Sequence, residues 1–112
     1  MPVQNWSEDI VLADLHDDPS LSDDLNAVID QIEAHPALDV ALDFTAVTYL
    51  NSSNIAKLLK LRKLVTISQR RRLKLCSIST HVWGVFLVTG LDKVFDFADD
   101  VATGLAGLQM SK

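Results

Sequence analysis

Apolar residues along this chain fall into short runs whose period switches between two and about four. Glu8-Asp9-Ile10-Val11-Leu12-Ala13-Asp14-Leu15 reads as a strand with an extended lead around Val3 to Trp6, and His16-Asp17-Asp18-Pro19 reads as a turn. Leu21, Leu25, Val28, Ile29 and Ile32 then recur at helical spacing. Ser20 or Ser22 can cap that helix, Asp23 and Asp24 lie in its first turn where the dipole favours acids, and His35-Pro36 ends it. Residues 38 to 44 form an apolar run broken only by Asp39 and Asp43, the kind of strand expected inside a parallel sheet covered on both faces.

The second half continues the alternation. A helix is expected over 53 to 68, with Ile55, Leu58, Leu59, Leu61 and Val65 on one broad face. Arg72 to Ile78 reads as a strand. Ser79-Thr80 caps a short apolar helix, His81 to Val88, that stops at Thr89-Gly90. Val94 to Phe97 is a last short strand. Asp99-Asp100 opens a C-terminal helix with Val101, Leu105 and Leu108 inward, weakened by Gly104 and Gly107. This order predicts one α/β domain over residues 1–112, a mixed β-sheet of four to five strands packed by about four helices.

Composition narrows the classes. At 112 residues and 48% hydrophobic, the chain fits one globular domain with a real core. No apolar run is long enough to span a membrane, and residues Met1 to Trp6 lack the features of a secretory signal. The single cysteine, Cys76, excludes an internal disulfide and reads as an inert core thiol. A cytoplasmic protein without membrane insertion is the expectation. His16, His35 and His81 have no ligand spacing, the four glycines form no phosphate loop, and no nucleophile–base pair can be named. No metal, no cofactor and no enzymatic activity are therefore expected. Asp43 caps its adjacent turn, with no His or second carboxylate placed to work with it.

Charge is segregated. Eight of the ten Lys and Arg residues lie between Lys57 and Lys74, and eleven of the fifteen acids lie at or before Asp43. The basic run either solvates or faces an acidic partner protein. Nucleic acid is not expected, because the chain carries a net charge of −5 and lacks basic–aromatic interleaving. Arg62 falls inside an apolar arc, where its stem would snorkel.

The richest stretch joins Val40-Ala41-Leu42-Asp43-Phe44 through Val47-Thr48-Tyr49-Leu50 to Asn51-Ser52-Ser53-Asn54 and a Leu-rich helix. Two hydroxyls at a helix N-terminus lie beside unpaired backbone N–H groups, so they serve either as a cap or as a place for an anion or an attached phosphate. Residues Leu42 to Asn54, with Thr89-Gly90-Leu91-Asp92-Lys93-Val94-Phe95 further on, resemble the signature of STAS domains, which include the bacterial anti-sigma-factor antagonists.

The resemblance covers about residues 8 to 108. It implies a STAS-like fold and a signalling domain that binds a protein partner, an anti-sigma factor, a kinase or a related protein. It also implies a switch by phosphorylation of the first serine of the pair, Ser52. Three departures stand out: Asn51 replaces an Asp, Asn54 replaces a Gly, and His16-Asp17-Asp18-Pro19 replaces a Gly-Glu-Leu-Asp-like turn. Asn54 can still accept a left-handed backbone. The loss of the carboxylate at 51 alters kinase recognition or marks a domain that binds without being phosphorylated.

The expected partner surface comprises Asn51, Ser53, Asn54 and Lys57. The alternative is a non-phosphorylated STAS module that binds a small ligand, or serves a lipid transport complex, through an apolar groove beside the same loop. The helix His81 to Val88 has no charged residue but its one histidine. Trp83 and Leu87 share a face there, which either completes the core under the C-terminal helix or joins a partner or a second copy as a homodimer.

Overall fold

The computed structural model describes residues 3–35 and 37–110. Five strands and four helices alternate: β1 (Val3–Asn5), β2 (Ile10–His16), α1 (Ser20–Ala34), β3 (Asp39–Ala46), α2 (Ser52–Arg62), β4 (Leu73–Cys76), α3 (Thr80–Thr89), β5 (Asp96–Ala98) and α4 (Val101–Met110). The sheet runs in the order β1-β2-β3-β4-β5; β1 is antiparallel to β2 and the other pairs are parallel. This is the mixed sheet with four helices that the alternation predicts.

Period-two alternation sorts each strand's residues onto the two faces. Val11, Ala13 and Leu15 of β2, Val40, Leu42 and Phe44 of β3, and Leu73 and Leu75 of β4 meet α1, α2 and α3 in one large core. The opposite face carries Ile10, Leu12, Ala41 and Cys76, and α4 covers it with Leu105 and Leu108. Strand β3 is thus buried on both faces, as its continuous apolar run requires. Each Leu or Ile fully withdrawn from water contributes about 2 kcal/mol. The α4 helix comes close through Gly104, where an added Cβ would sit 2.5 Å from Cys76 Sγ. That glycine weakens the helix but permits the contact.

Several boundaries differ from the sequence expectation. Helix α1 begins at Ser20, but neither Ser20 nor Ser22 caps it; Asp18 Oδ1 accepts the Ser22 N–H at 2.8 Å. It ends at Ala34, and His35 turns out of the helical region at φ −133°, as a residue before proline does; Pro36 lies outside the described residues. Helix α2 stops at Arg62 and continues as a wider π-helical turn, Lys63–Ser68. There the Thr66 hydroxyl donates back to the Arg62 carbonyl at 2.7 Å.

Helix α3 is capped by Ser79 and closed by Gly90 in the left-handed region at φ 76°. Strand β5 starts two residues later than expected. The Val94 and Phe95 N–H groups are taken by Leu91 O in a 3-10 turn, at 3.0 and 3.3 Å. Among the described residues, no helix is long and apolar enough to cross a membrane.

Candidate functional site: the first turn of helix α2

Strands β2 to β5 run parallel, so the loops that leave them gather at one rim of the sheet. Residues 47 to 51 carry the chain from β3 into α2 along this rim, and Asp17-Asp18 leave β2 beside them. Asp17 Oδ1 accepts the Thr48 N–H at 2.8 Å, and Asp17 Oδ2 accepts the Thr48 hydroxyl at 2.6 Å. The Thr48 hydroxyl bond, with the backbone bond behind it, holds the Asp17 carboxyl below its ordinary value.

The α2 cap is not a serine. Asn51 Oδ1 accepts the Asn54 N–H at 2.8 Å, and Asn54 Oδ1 accepts the Asn51 N–H at 3.0 Å, a reciprocal capping box built from two asparagines. Asn54 is therefore helical rather than left-handed. Among the described residues, only Arg70, Ser77 and Gly90 have positive φ. Asn54 is also fully buried, which corrects its expected place on the partner-facing surface: it supports the turn from beneath.

A single carboxylate secures this box. Asp18 Oδ2 accepts from Asn51 Nδ2 and from Asn54 Nδ2, each at 2.9 Å, while Asp18 Oδ1 caps α1. Asn54 Nδ2 also reaches Ser22 Oγ at 3.3 Å. Hydrogen bonding from Asn54, reinforced by Ser22 and Asn51 against the cost of desolvation, holds the Asp18 carboxyl at about 2. Asp18 is thus a site residue the sequence reading missed. The departures at 51 and 54 belong with it, because a carboxylate at 51 would face that of Asp18.

With capping done by asparagines, Ser52 and Ser53 occupy the first two helical positions, both exposed. The Lys57 ammonium donates to Ser53 Oγ at 3.3 Å, one turn on. The turn therefore combines exposed hydroxyls, the positive end of a helix dipole and a nearby ammonium, an environment suited to carrying negative charge.

Other candidates are placed elsewhere. Trp83 is half-buried, its ring edge-on to Phe97 with centroids 4.9 Å apart, while Leu87 on the same helix is half-exposed. Asp43 accepts the Thr45 N–H and hydroxyl, closing its own turn as expected. The sheet register nevertheless sets Asp14 opposite it, a second carboxylate that sequence reading did not foresee. A hydrogen bond to Asp43, with burial and its charge, raises the Asp14 carboxyl. Burial acts to raise Asp43 too, but the bonds from Thr45 and Asp14 bring it below its ordinary value.

Half of the basic run is structural. Arg62 Nε donates to Val94 O at 3.1 Å, so it does more than snorkel, and an Arg72 Nη donates to Gly107 O at 2.6 Å. Arg71 pairs with buried Asp39 at 3.2 Å, and Lys74 lies 3.7 Å from Asp96. Lys60, Lys63 and Arg70 remain exposed.

No group of three or more His, Cys, Asp or Glu among the described residues is arranged to hold a metal. A pocket of about 250 Å³ lined by Ile78, Trp83, Phe97, Ala98 and Asp99 opens at the rim that carries α2's first turn. A larger cleft of about 740 Å³ lies at the opposite end of the sheet, among Asn5, Glu8, Asp9, Asp30, Gln31 and His35.

Comparison places this fold among known structures. No match is found among curated protein sequences. The fold is similar to that of a STAS-domain anti-sigma-factor antagonist protein from Planctomyces limnophilus, with a TM-score of 0.81 at 18% identity over 96% of each chain. A variant of RsbS from Moorella thermoacetica gives a TM-score of 0.80 at 17% identity, covering 96% of this chain and 93% of that one. The phosphorylated form of the Bacillus cell-fate determinant SpoIIAA gives 0.65 at 18% identity, covering 87% and 89%. The STAS domain profile matches residues 14–104, which take in the Asp18 clasp, the α2 turn and most of the larger core, and the chain belongs to the STAS domain family.

Proposed function

We propose that this chain is a cytoplasmic protein-binding signalling domain of the anti-sigma-factor-antagonist type, a single domain over residues 1–112 that acts without catalysis. Its docking surface is the first turn of α2 with Ser53 and Lys57, and phosphorylation of Ser52 switches that surface. The observation that carries this reading is the division of labour in the turn. Asn51 and Asn54 form the cap between them, so the Ser52 and Ser53 hydroxyls are left outward and uncommitted to capping. A phosphate at Ser52 brings about −1.5 to −2 charges at pH 7. The α2 dipole and Lys57 tolerate that charge, whereas an acidic partner surface docked on the same turn does not. The Bacillus cell-fate determinant SpoIIAA, which is similar in fold, has a phosphorylated form, and that supports phosphate chemistry on this fold.

The test uses protein tagged and purified from its own host. Native mass spectrometry is expected to reveal a phosphate that maps to Ser52. Against the partner so identified, Ser52→Asp is expected to weaken binding at least about tenfold, or about 1.4 kcal/mol, while Ser52→Ala retains it. Equal affinities for wild type, Ser52→Ala and Ser52→Asp would defeat the switch.

A further inference from the structure

We propose that Asp18 is the positioning residue of this switch, and that its carboxylate transmits the charge state of Ser52 from the start of α2 to the start of α1. The inference rests on the reading of Ser52 given above. Its physical basis is that one carboxylate is shared between two helix ends. Oδ1 holds the Ser22 N–H, which belongs to α1, while Oδ2 holds the side-chain amides of Asn51 and Asn54, which belong to α2. Among the described residues the ion pairs are Arg71–Asp39 and Lys74–Asp96, so no ammonium or guanidinium pairs with Asp18. Its charge is balanced by amide dipoles and the two helix N-termini.

Ser52 follows Asn51 directly, so a negative group on Ser52 competes with Asp18 for the positive end of the same helix. The two charges lie on the order of 10 Å apart, comparable to the screening length at 0.1 M salt. Adding charge at Ser52 therefore raises the cost of keeping Asp18 ionised, so Asp18 takes up its proton, and gives up its hold on the α1 cap, at a higher pH. The β2–α1 loop becomes part of the switch although it carries no modified residue.

The experiment compares Ser52→Glu with the neutral isostere Ser52→Gln in isotopically labelled protein, without kinase or partner. At this separation the Asp18 carboxyl should titrate a few tenths of a pH unit higher in Ser52→Glu than in Ser52→Gln. Near pH 3, where such a shift about doubles the protonated fraction of Asp18, the Ser22 amide should exchange about twofold faster in Ser52→Glu. In the Asp18→Asn background the two substitutions at 52 should give the same Ser22 exchange. Identical Asp18 titration in Ser52→Glu and Ser52→Gln would overturn the proposal, as would an undiminished Ser22 response once Asp18 is Asn. The titration alone suffices should Asp18→Asn not fold. Neither readout needs phosphorylation in the host, so failure here is distinct from failure of the switch itself.

Discussion

Replacing Asn51 by Asp isolates the logic of the α2 turn. The new side chain keeps an oxygen for the Asn54 N–H, so the cap itself survives. It loses the donor that now reaches Asp18 Oδ2 at 2.9 Å and puts a second carboxylate there. A hydrogen bond to a charged group contributes about 1.5–3 kcal/mol. Repulsion between carboxylates about 4 Å apart lies between roughly 1 kcal/mol in water and roughly 4 kcal/mol at an effective dielectric of 20. Position 51 is exposed and solvent screens the pair, so both terms fall near their lower limits, for a total of about 2–3 kcal/mol at pH 7. For a domain of this size that corresponds to roughly 10 °C in the thermal midpoint.

Urea unfolding at pH 7 measures the loss directly. The deficit should shrink as pH falls, because one carboxyl of a close pair takes up a proton early. The decisive variant is the exchange Asp18→Asn with Asn51→Asp, which restores one carboxylate facing one amide and should recover at least half of the loss. If Asn51→Asp were as stable as wild type, or the exchange no better than Asn51→Asp alone, the account of the clasp would be wrong.

Three further outcomes follow from the packing. Gly104→Ala should cost about 1–3 kcal/mol by overpacking, since its Cβ would meet Cys76 Sγ at 2.5 Å, and Cys76→Ala should restore the loss; a neutral Gly104→Ala in a denaturant titration would show that α4 is not held this closely. Arg71→Ala should cost about 3 kcal/mol because it leaves Asp39, only 4% exposed, without its guanidinium, whereas reversing exposed Lys60, Lys63 and Arg70 to Glu should leave folding intact; similar unfolding midpoints for the two variants would contradict this division. Asp18 is held at about 2 against an ordinary 3.8, so its stabilisation is complete above about pH 4 and is lost as pH falls toward 2; the stability–pH curve of Asp18→Asn should be flatter in that window, and an unchanged acid limb would place the sensitivity elsewhere.

The fold was legible because its signals are local. Leu21 to Ile32 at helical spacing, the continuous run into Leu42, and Gly90 after α3 each declare an element within a dozen residues. The α2 region was half legible. Its place and its serines could be read, but serine propensity left cap and anion site as alternatives for the pair, although Asn51 and Asn54 stand at the three-residue spacing of a capping box. Asp18 was out of reach for a different reason: its partners lie 33 and 36 residues away, brought together only when β2 and β3 pair. The same holds for Asp14 beside Asp43. It holds also for the basic run, where Arg71 and Arg72 read as surface charge until β3 and α4 supply Asp39 and the Gly107 carbonyl.

The close approach of Gly104 to Cys76 also makes the protein its own gauge. Cys76 is the chain's sole cysteine, and burial pushes its thiol up to about 11. With α4 in place, the sulfur is sealed and almost wholly protonated at neutral pH. Once α4 lifts, the thiol returns toward about 8.5 and meets solvent, where an alkylating reagent captures it. The labelling rate under native conditions, divided by that of the unfolded chain, therefore reads the opening equilibrium of one helix without any engineered probe. Comparing that value with the global unfolding free energy shows whether the second face of the sheet opens by itself or only when the whole protein does.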